Sequence, residues 1–192
     1  MGTERRGRVG ILTGSPNDLE TVRKVQDTLA DLGVESELRV LSAHRSADLT
    51  VEWVRGAEAR GIEIFVACAG MANHLAGTVA AHTTLPVVGV PLASGALGGL
   101  DSLLSTVQMP PGVPVATVSI DGARNAAFLA ARILGIKYAA VRQRVEAAVR
   151  LEQQRYADGL RTAETNDTKR TRPAAERPSK RASSRPRAGG RR

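Results

Sequence analysis

Apolar positions along the chain follow two alternating rhythms. Residues 8–13, RVGILT, form a short apolar run that predicts a strand. GSPND then breaks the pattern, and Leu19, Val22, Val25, Leu29 and Leu32 follow at spacings of three and four, one face of a helix. Gly33 is placed to end that helix. ESELRVL alternates as a second strand. Ser46 is a candidate cap for a helix carrying Leu49, Trp53, Val54 and Ala57, ending near Gly61. EIFVACA is strand three, residues 73–83 a small helix, and PVVGV strand four. GGLDSLLSTVQ is helical, PVATVSI is strand five, and ARNAAFLAARILG is a helix after it. A last helix is expected from Lys137 to about Leu160, with Val141, Val145, Ala148 and Val149 on one side. Five strands alternating with helices predict an α/β fold with a doubly wound parallel sheet and right-handed crossovers. The long terminal helix has no strand after it, so it is expected to pack on its own domain or on a neighbouring copy.

Composition sharpens this picture. Hydrophobic residues are 42% of the chain but aromatics only 3%, so the core is to be built from Val, Leu, Ile and Ala. Such residues suit parallel strands covered on both faces. No apolar run approaches the roughly 20 residues of a membrane span. The start of the chain has no secretory pattern, and the single cysteine, Cys68, excludes an internal disulfide. A cytoplasmic location is the expectation. The net charge of +8 resides in residues 165–192, which hold ten Lys/Arg against Asp167 and Glu176. The rest of the chain balances. Two segments are therefore expected: an α/β domain over 1–164, and a basic tail over 165–192 with too little apolar content to fold.

Ligands of open α/β sheets bind beyond the carboxyl ends of the strands. Three loops with unusual polar content fall there. Gly14-Ser15-Pro16-Asn17-Asp18 leads into a helix and suits a phosphate, with Ser15 adding a hydroxyl, or else Asn17 or Asp18 is simply a cap. Ser42-Ala43-His44-Arg45 joins a proton carrier to a fixed cation suited to phosphate or carboxylate. Gly70-Met71-Ala72-Asn73-His74 lets backbone approach a ligand at Gly70, with Asn73 a candidate cap. No His, Cys and carboxylate cluster has metal-ligand spacing, so no metal is assigned. Cys68 lies within an apolar strand pattern and reads as a buried, inert thiol. The residues thus point to a site for a phosphate-bearing small molecule, served by a histidine acid/base.

Taken together, GSPND, SAHRSAD and GMANHLAG resemble the loops of the PurE family of purine biosynthesis. LPVVGVPL, GLDSLLSTVQMPPGVPVATVSI and NAAFLAARILGI extend the likeness over about residues 8–137. The resemblance implies a three-layer, flavodoxin-like fold and N5-carboxyaminoimidazole ribonucleotide mutase activity, with no metal, ATP or organic cofactor, in a homo-octamer. It implies that His44 is the acid/base. Ser15 and Arg45 would meet the substrate phosphate and Asp18 the ribose, with Asn17 and Ser42 beside them. Gly70, Met71, Ala72, His74 and Leu75 would cover the base and CO2. Asn17, Met71 and Asn73 depart from the family pattern, which has Ser, Gly and Ala there. An asparagine in this loop is also a feature of the related carboxylases that use free CO2, which keeps that activity as the alternative. A reading of another class, nucleic-acid binding, rests on the arginine-rich tail. A charge-balanced body without an aromatic platform argues against it and leaves weak contact by the tail.

Overall fold

The computed structural model of the protein describes residues 7–170, with side chains as far as residue 162. Five strands, β1 (Arg8–Thr13), β2 (Glu35–Val40), β3 (Ile62–Gly70), β4 (Val87–Leu92) and β5 (Ala116–Thr117), form one parallel sheet in the order β2-β1-β3-β4-β5. The connecting helices are α1 (Leu19–Asp31), α2 (Ala47–Arg55), α3 (Leu75–Ala80), α4 (Leu100–Val107), α5 (Ala123–Lys137) and α6 (Ala139–Arg170). This is the flavodoxin-like, doubly wound arrangement expected.

Alternation along the strands divides the core into two layers. Val9 and Ile11 of β1 and Ile64, Val66 and Cys68 of β3 pack against α1, α5 and the start of α6. Leu12 of β1 and Phe65, Ala67 and Ala69 of β3 face the opposite way, against Val54 and Ala57 after the first turns of α2 and Leu75, Ala76 and Val79 on α3. Every residue of β4 is buried, which is why its run is continuously apolar rather than alternating. On α6, Val141 and Val145 are buried, and Ala148 and Val149 pack beside them, as the sequence spacing implies.

Several element boundaries differ from those that the sequence pattern predicts. The helix expected over 73–83 is confined to Leu75–Ala80, because Asn73 turns inward instead of capping it. Strand five shrinks to Ala116–Thr117, an edge strand whose expected first residue, Pro114, has no N–H to give. Helix α2 ends at Arg55, with Gly56 as its cap, short of the expected Gly61, and a 3-10 turn, Glu58–Arg60, completes the run. Gly33 does end α1, at a φ of 70° that favours glycine. Helix α6 runs past Leu160 to Arg170; the first compact unit ends at Arg150 and a second begins at Leu151. The part of the basic tail from residue 171 onward lies outside the described residues.

Candidate active site

The strand order sets the location. From β1 the chain moves to β2 on one side, then returns to β3 on the other, so the loops after β1 and β3 diverge and open a crevice at the carboxyl edge. The loop after β2 borders the same crevice. These are the three segments that the sequence singles out.

In the first loop, Ser15 caps a 3-10 turn over Pro16–Asp18, its hydroxyl accepting from the Asn17 N–H at 3.2 Å. Asn17 is exposed. Asp18 makes no side-chain cap to α1. Its carboxylate is instead 3.4 Å from the hydroxyl of buried Thr13, the last residue of β1. Partial burial raises the Asp18 pKa, and the Thr13 hydrogen bond only partly offsets it.

The second loop is folded on itself. The Ser46 hydroxyl accepts from the Ser42 N–H at 2.9 Å and donates to the Ser42 carbonyl, rather than capping α2. The Ser42 hydroxyl accepts from the Arg45 N–H at 3.2 Å. The Arg45 guanidinium reaches back across the crevice and donates to the Gly14 carbonyl at 2.6 Å. Its Nε–H donates to the Ser42 hydroxyl at 3.4 Å, so Arg45 joins the loops after β1 and β2 while remaining exposed.

The third loop meets the second at a histidine pair. His44 Nε2 lies 2.8 Å from His74 Nδ1, and the rings are edge-to-face with centroids 4.8 Å apart. A hydrogen bond between two imidazole nitrogens holds one proton, with one ring donating and the other accepting. Both rings are exposed. Met71 adopts a φ of 55°, unusual for a residue with a side chain, and leaves that side chain 60% exposed at the rim. Ala72 is exposed beside it.

Two expected site residues have different work. Gly70, where the sequence suggests that a ligand meets the backbone, is closely packed on its Cβ side. A Cβ there would lie 1.7 Å from the Ser94 hydroxyl, so the space is filled by the protein's own loop after β4. Leu75 is buried in the core, and its side chain anchors α3 instead of facing the crevice. His82 sits apart, with Nδ1 bonded to the Thr78 carbonyl at the end of α3. Cys68 is fully buried; burial, and secondarily the Asp18 carboxylate, push its thiol far up, which keeps it protonated and inert. Among the described residues no group of three or more His, Cys, Asp or Glu could hold a metal ion.

The sequence reading missed the supports. Thr13 falls in the predicted RVGILT strand, and Ser94 lies outside the predicted elements. Asp121, with a φ of 55°, accepts from the Ala93 N–H at 3.0 Å and pins the loop after β4. Ser105 and Thr106 lie in the predicted GGLDSLLSTVQ helix, and both bond to Asn73 of the third loop. Nothing local in the sequence signals these pairings, since the partners are some 30 residues apart.

Fold and loops together define a doubly wound α/β protein with a histidine pair among three polar loops at the carboxyl edge of its sheet. A family model described as AIR carboxylase matches residues 8–155, and the chain belongs to that family. It is 53% identical to N5-carboxyaminoimidazole ribonucleotide mutase of Pyrococcus abyssi, over 72% of this chain and 80% of that one. Against the mutase of Thermotoga maritima the identity is 47%, over 82% of this chain and 99% of the relative. Among solved structures it matches Treponema denticola PurE with a TM-score of 0.73 and 29% identity, over 79% of this chain and 94% of that one.

Proposed function

We propose that this chain is an N5-carboxyaminoimidazole ribonucleotide mutase, an isomerase of purine biosynthesis that converts its substrate to 4-carboxy-5-aminoimidazole ribonucleotide. The observation that carries this reading is the His44–His74 pair, set at the switch point beside Ser15, Asp18 and Arg45, in a chain about half identical to mutases. Ser15 and Arg45 hold the phosphate, and Asp18, with Asn17 and Ser42 nearby, lies toward the ribose. Met71, Ala72 and the backbone of the third loop cover the base.

The chemistry needs one proton to leave the protein and one to return. Breaking the bond between the exocyclic nitrogen and the carboxylate releases CO2, and the nitrogen takes a proton to give aminoimidazole ribonucleotide. The ring carbon then attacks CO2, forming a carbon–carbon bond, and loses its hydrogen as a proton. His44 donates the first proton and accepts the second, while His74 holds the imidazole in place through the shared hydrogen bond. Keeping CO2 beside the ring replaces a bimolecular encounter, an advantage worth up to roughly 7–11 kcal/mol.

The enzyme works as a homo-oligomer, with an octamer as the expected size. Support comes from Leu97 and from Leu100, Leu104 and Val107 on α4, all about half exposed or more. We place it in the cytoplasm, where a lone free thiol such as Cys68 stays reduced. Among the described residues no helix is long and apolar enough to cross a membrane. The basic tail makes at most weak, salt-sensitive contacts with nucleic acid.

The test is to supply the purified protein with each ribonucleotide. Product is expected from the N5-carboxy substrate without added bicarbonate. Product only from aminoimidazole ribonucleotide plus bicarbonate would make the protein the free-CO2 carboxylase instead, and product from neither would refute the assignment.

A further inference from the structure

The third loop has a problem of mechanics. It must hold His74 steady, yet His74, Met71 and Ala72 are all exposed, and Met71 sits in a strained backbone region. Such a conformation persists only where neighbouring structure fixes it. The fixing element is Asn73, which is fully buried in a loop whose other residues before α3 face solvent.

Asn73 is held at two points by one helix. Its N–H donates to the Ser105 hydroxyl at 2.9 Å, and its side-chain Nδ2 donates to the Thr106 hydroxyl at 2.9 Å. Both partners are tied into α4: Thr106 donates to the Ser102 carbonyl at 2.6 Å and Ser105 to the Asp101 carbonyl at 2.8 Å. Ser102, also fully buried, continues the network to the Leu92 carbonyl at the end of β4. The Asn73 Oδ1, by contrast, is buried without a hydrogen bond. A buried amide with an idle acceptor is unfavourable, so packing alone does not account for asparagine at this position.

We propose that Asn73 is a positioning residue for the histidine pair: through Thr106 it locks the third loop onto α4 and so fixes His74 within hydrogen-bonding reach of His44. The activity part of this inference rests on the function proposed above; the structural part does not. The residue before His74 is clamped by Asn73 contacts and the residue after it, Leu75, is buried in the core. The exposed ring between them therefore has its backbone fixed on both sides. Without that side-chain hydrogen bond, the loop is tied to α4 through Ser105, which meets the Asn73 N–H and the Met71 carbonyl.

The experiment uses full-length protein labelled with nitrogen-15 at histidine, so that the ring-nitrogen signals of His44 and His74 are read directly by NMR. Thr106→Val removes the hydroxyl and keeps the shape. Asn73→Ala removes the amide and adds no volume, and it carries the test if Thr106→Val does not fold. Each is expected to abolish the inter-ring hydrogen-bond signature and to lower kcat about ten- to a hundredfold, with KM changed less, as misplacing a reacting group does. The double variant should be no worse than either single change, because both break one bond. Thr106→Ser, which restores the hydroxyl, should restore both signature and kcat. Unaltered ring signals in a folded Thr106→Val or Asn73→Ala protein would overturn the proposal. Should the wild type turn over neither ribonucleotide, the functional reading fails while the ring signals still decide this one.

Discussion

His44 and His74 lie 30 residues apart in sequence, yet their ring nitrogens are 2.8 Å apart, and Arg45 is turned away from both toward Gly14. In the proposed function this geometry gives the two neighbours different partners: the histidine meets a second imidazole and the arginine meets the loop after β1. Replacing His44 with Asn keeps a polar group but removes the ability to carry a proton near neutral pH. Turnover is expected to fall about 10²- to 10⁴-fold, the usual range for losing a general acid–base, while calorimetry should still detect binding of product ribonucleotide. Asp18 offers a second test at this scale. Its folded-state pKa is raised by burial above the ordinary 3.8, so ionisation costs stability as pH rises through that interval. Asp18→Asn removes the cost. The variant should melt at a higher temperature than wild type at pH 7, with the gap closing as pH falls below the ordinary aspartate range. It should also bind ribonucleotide more weakly, and a variant that is neither more stable nor weaker in binding would show that Asp18 is idle.

At the scale of elements, the site depends on how closely the ends of β3 and β4 are packed. Gly70 closes β3 against Ser94, and a methyl group there would collide with the Ser94 side chain. Gly70→Ala should destabilise the protein by about 1–3 kcal/mol, the usual cost of forcing volume into a packed place. Adding Ser94→Gly should recover most of that loss in a denaturant titration, and no recovery would place the constraint elsewhere. This contact also marks the limit of what the chain reveals by pattern. The periods of α1 and α2 and the continuous run of β4 were legible because burial imposes rhythm on local sequence. The three candidate loops were legible because Gly, Ser, Asn, His and Arg accumulate between strand and helix patterns. The Gly70–Ser94, Asn73–Thr106 and Ala93–Asp121 contacts were not, since each joins segments brought together only by strand order. That order, β2-β1-β3-β4-β5, is itself a product of how all the helices pack, and no single segment encodes it. The early end of the helix before residue 83 and the two-residue β5 likewise follow from tertiary partners outweighing local preference.

For the whole molecule, charge and chemistry are segregated. The folded body carries balanced charge, and the basic excess lies in residues 165–192, far along the sequence from every candidate site residue. Ending the chain after Glu164 should leave kcat within about twofold, equivalent to ~0.4 kcal/mol in barrier. A tenfold loss in a protein of unchanged oligomeric state would show that the tail serves the site. A mutase moves a carboxylate within a single substrate. The most direct measurement supplies N5-carboxyaminoimidazole ribonucleotide carrying carbon-13 in its carboxylate, in unlabelled bicarbonate, and reads the label in the product by mass spectrometry at early turnover. Carbon-13 is expected to be retained in the 4-carboxy product. Product carrying the unlabelled carbon of the medium would mean that CO2 enters from solution, and would contradict the mutase assignment.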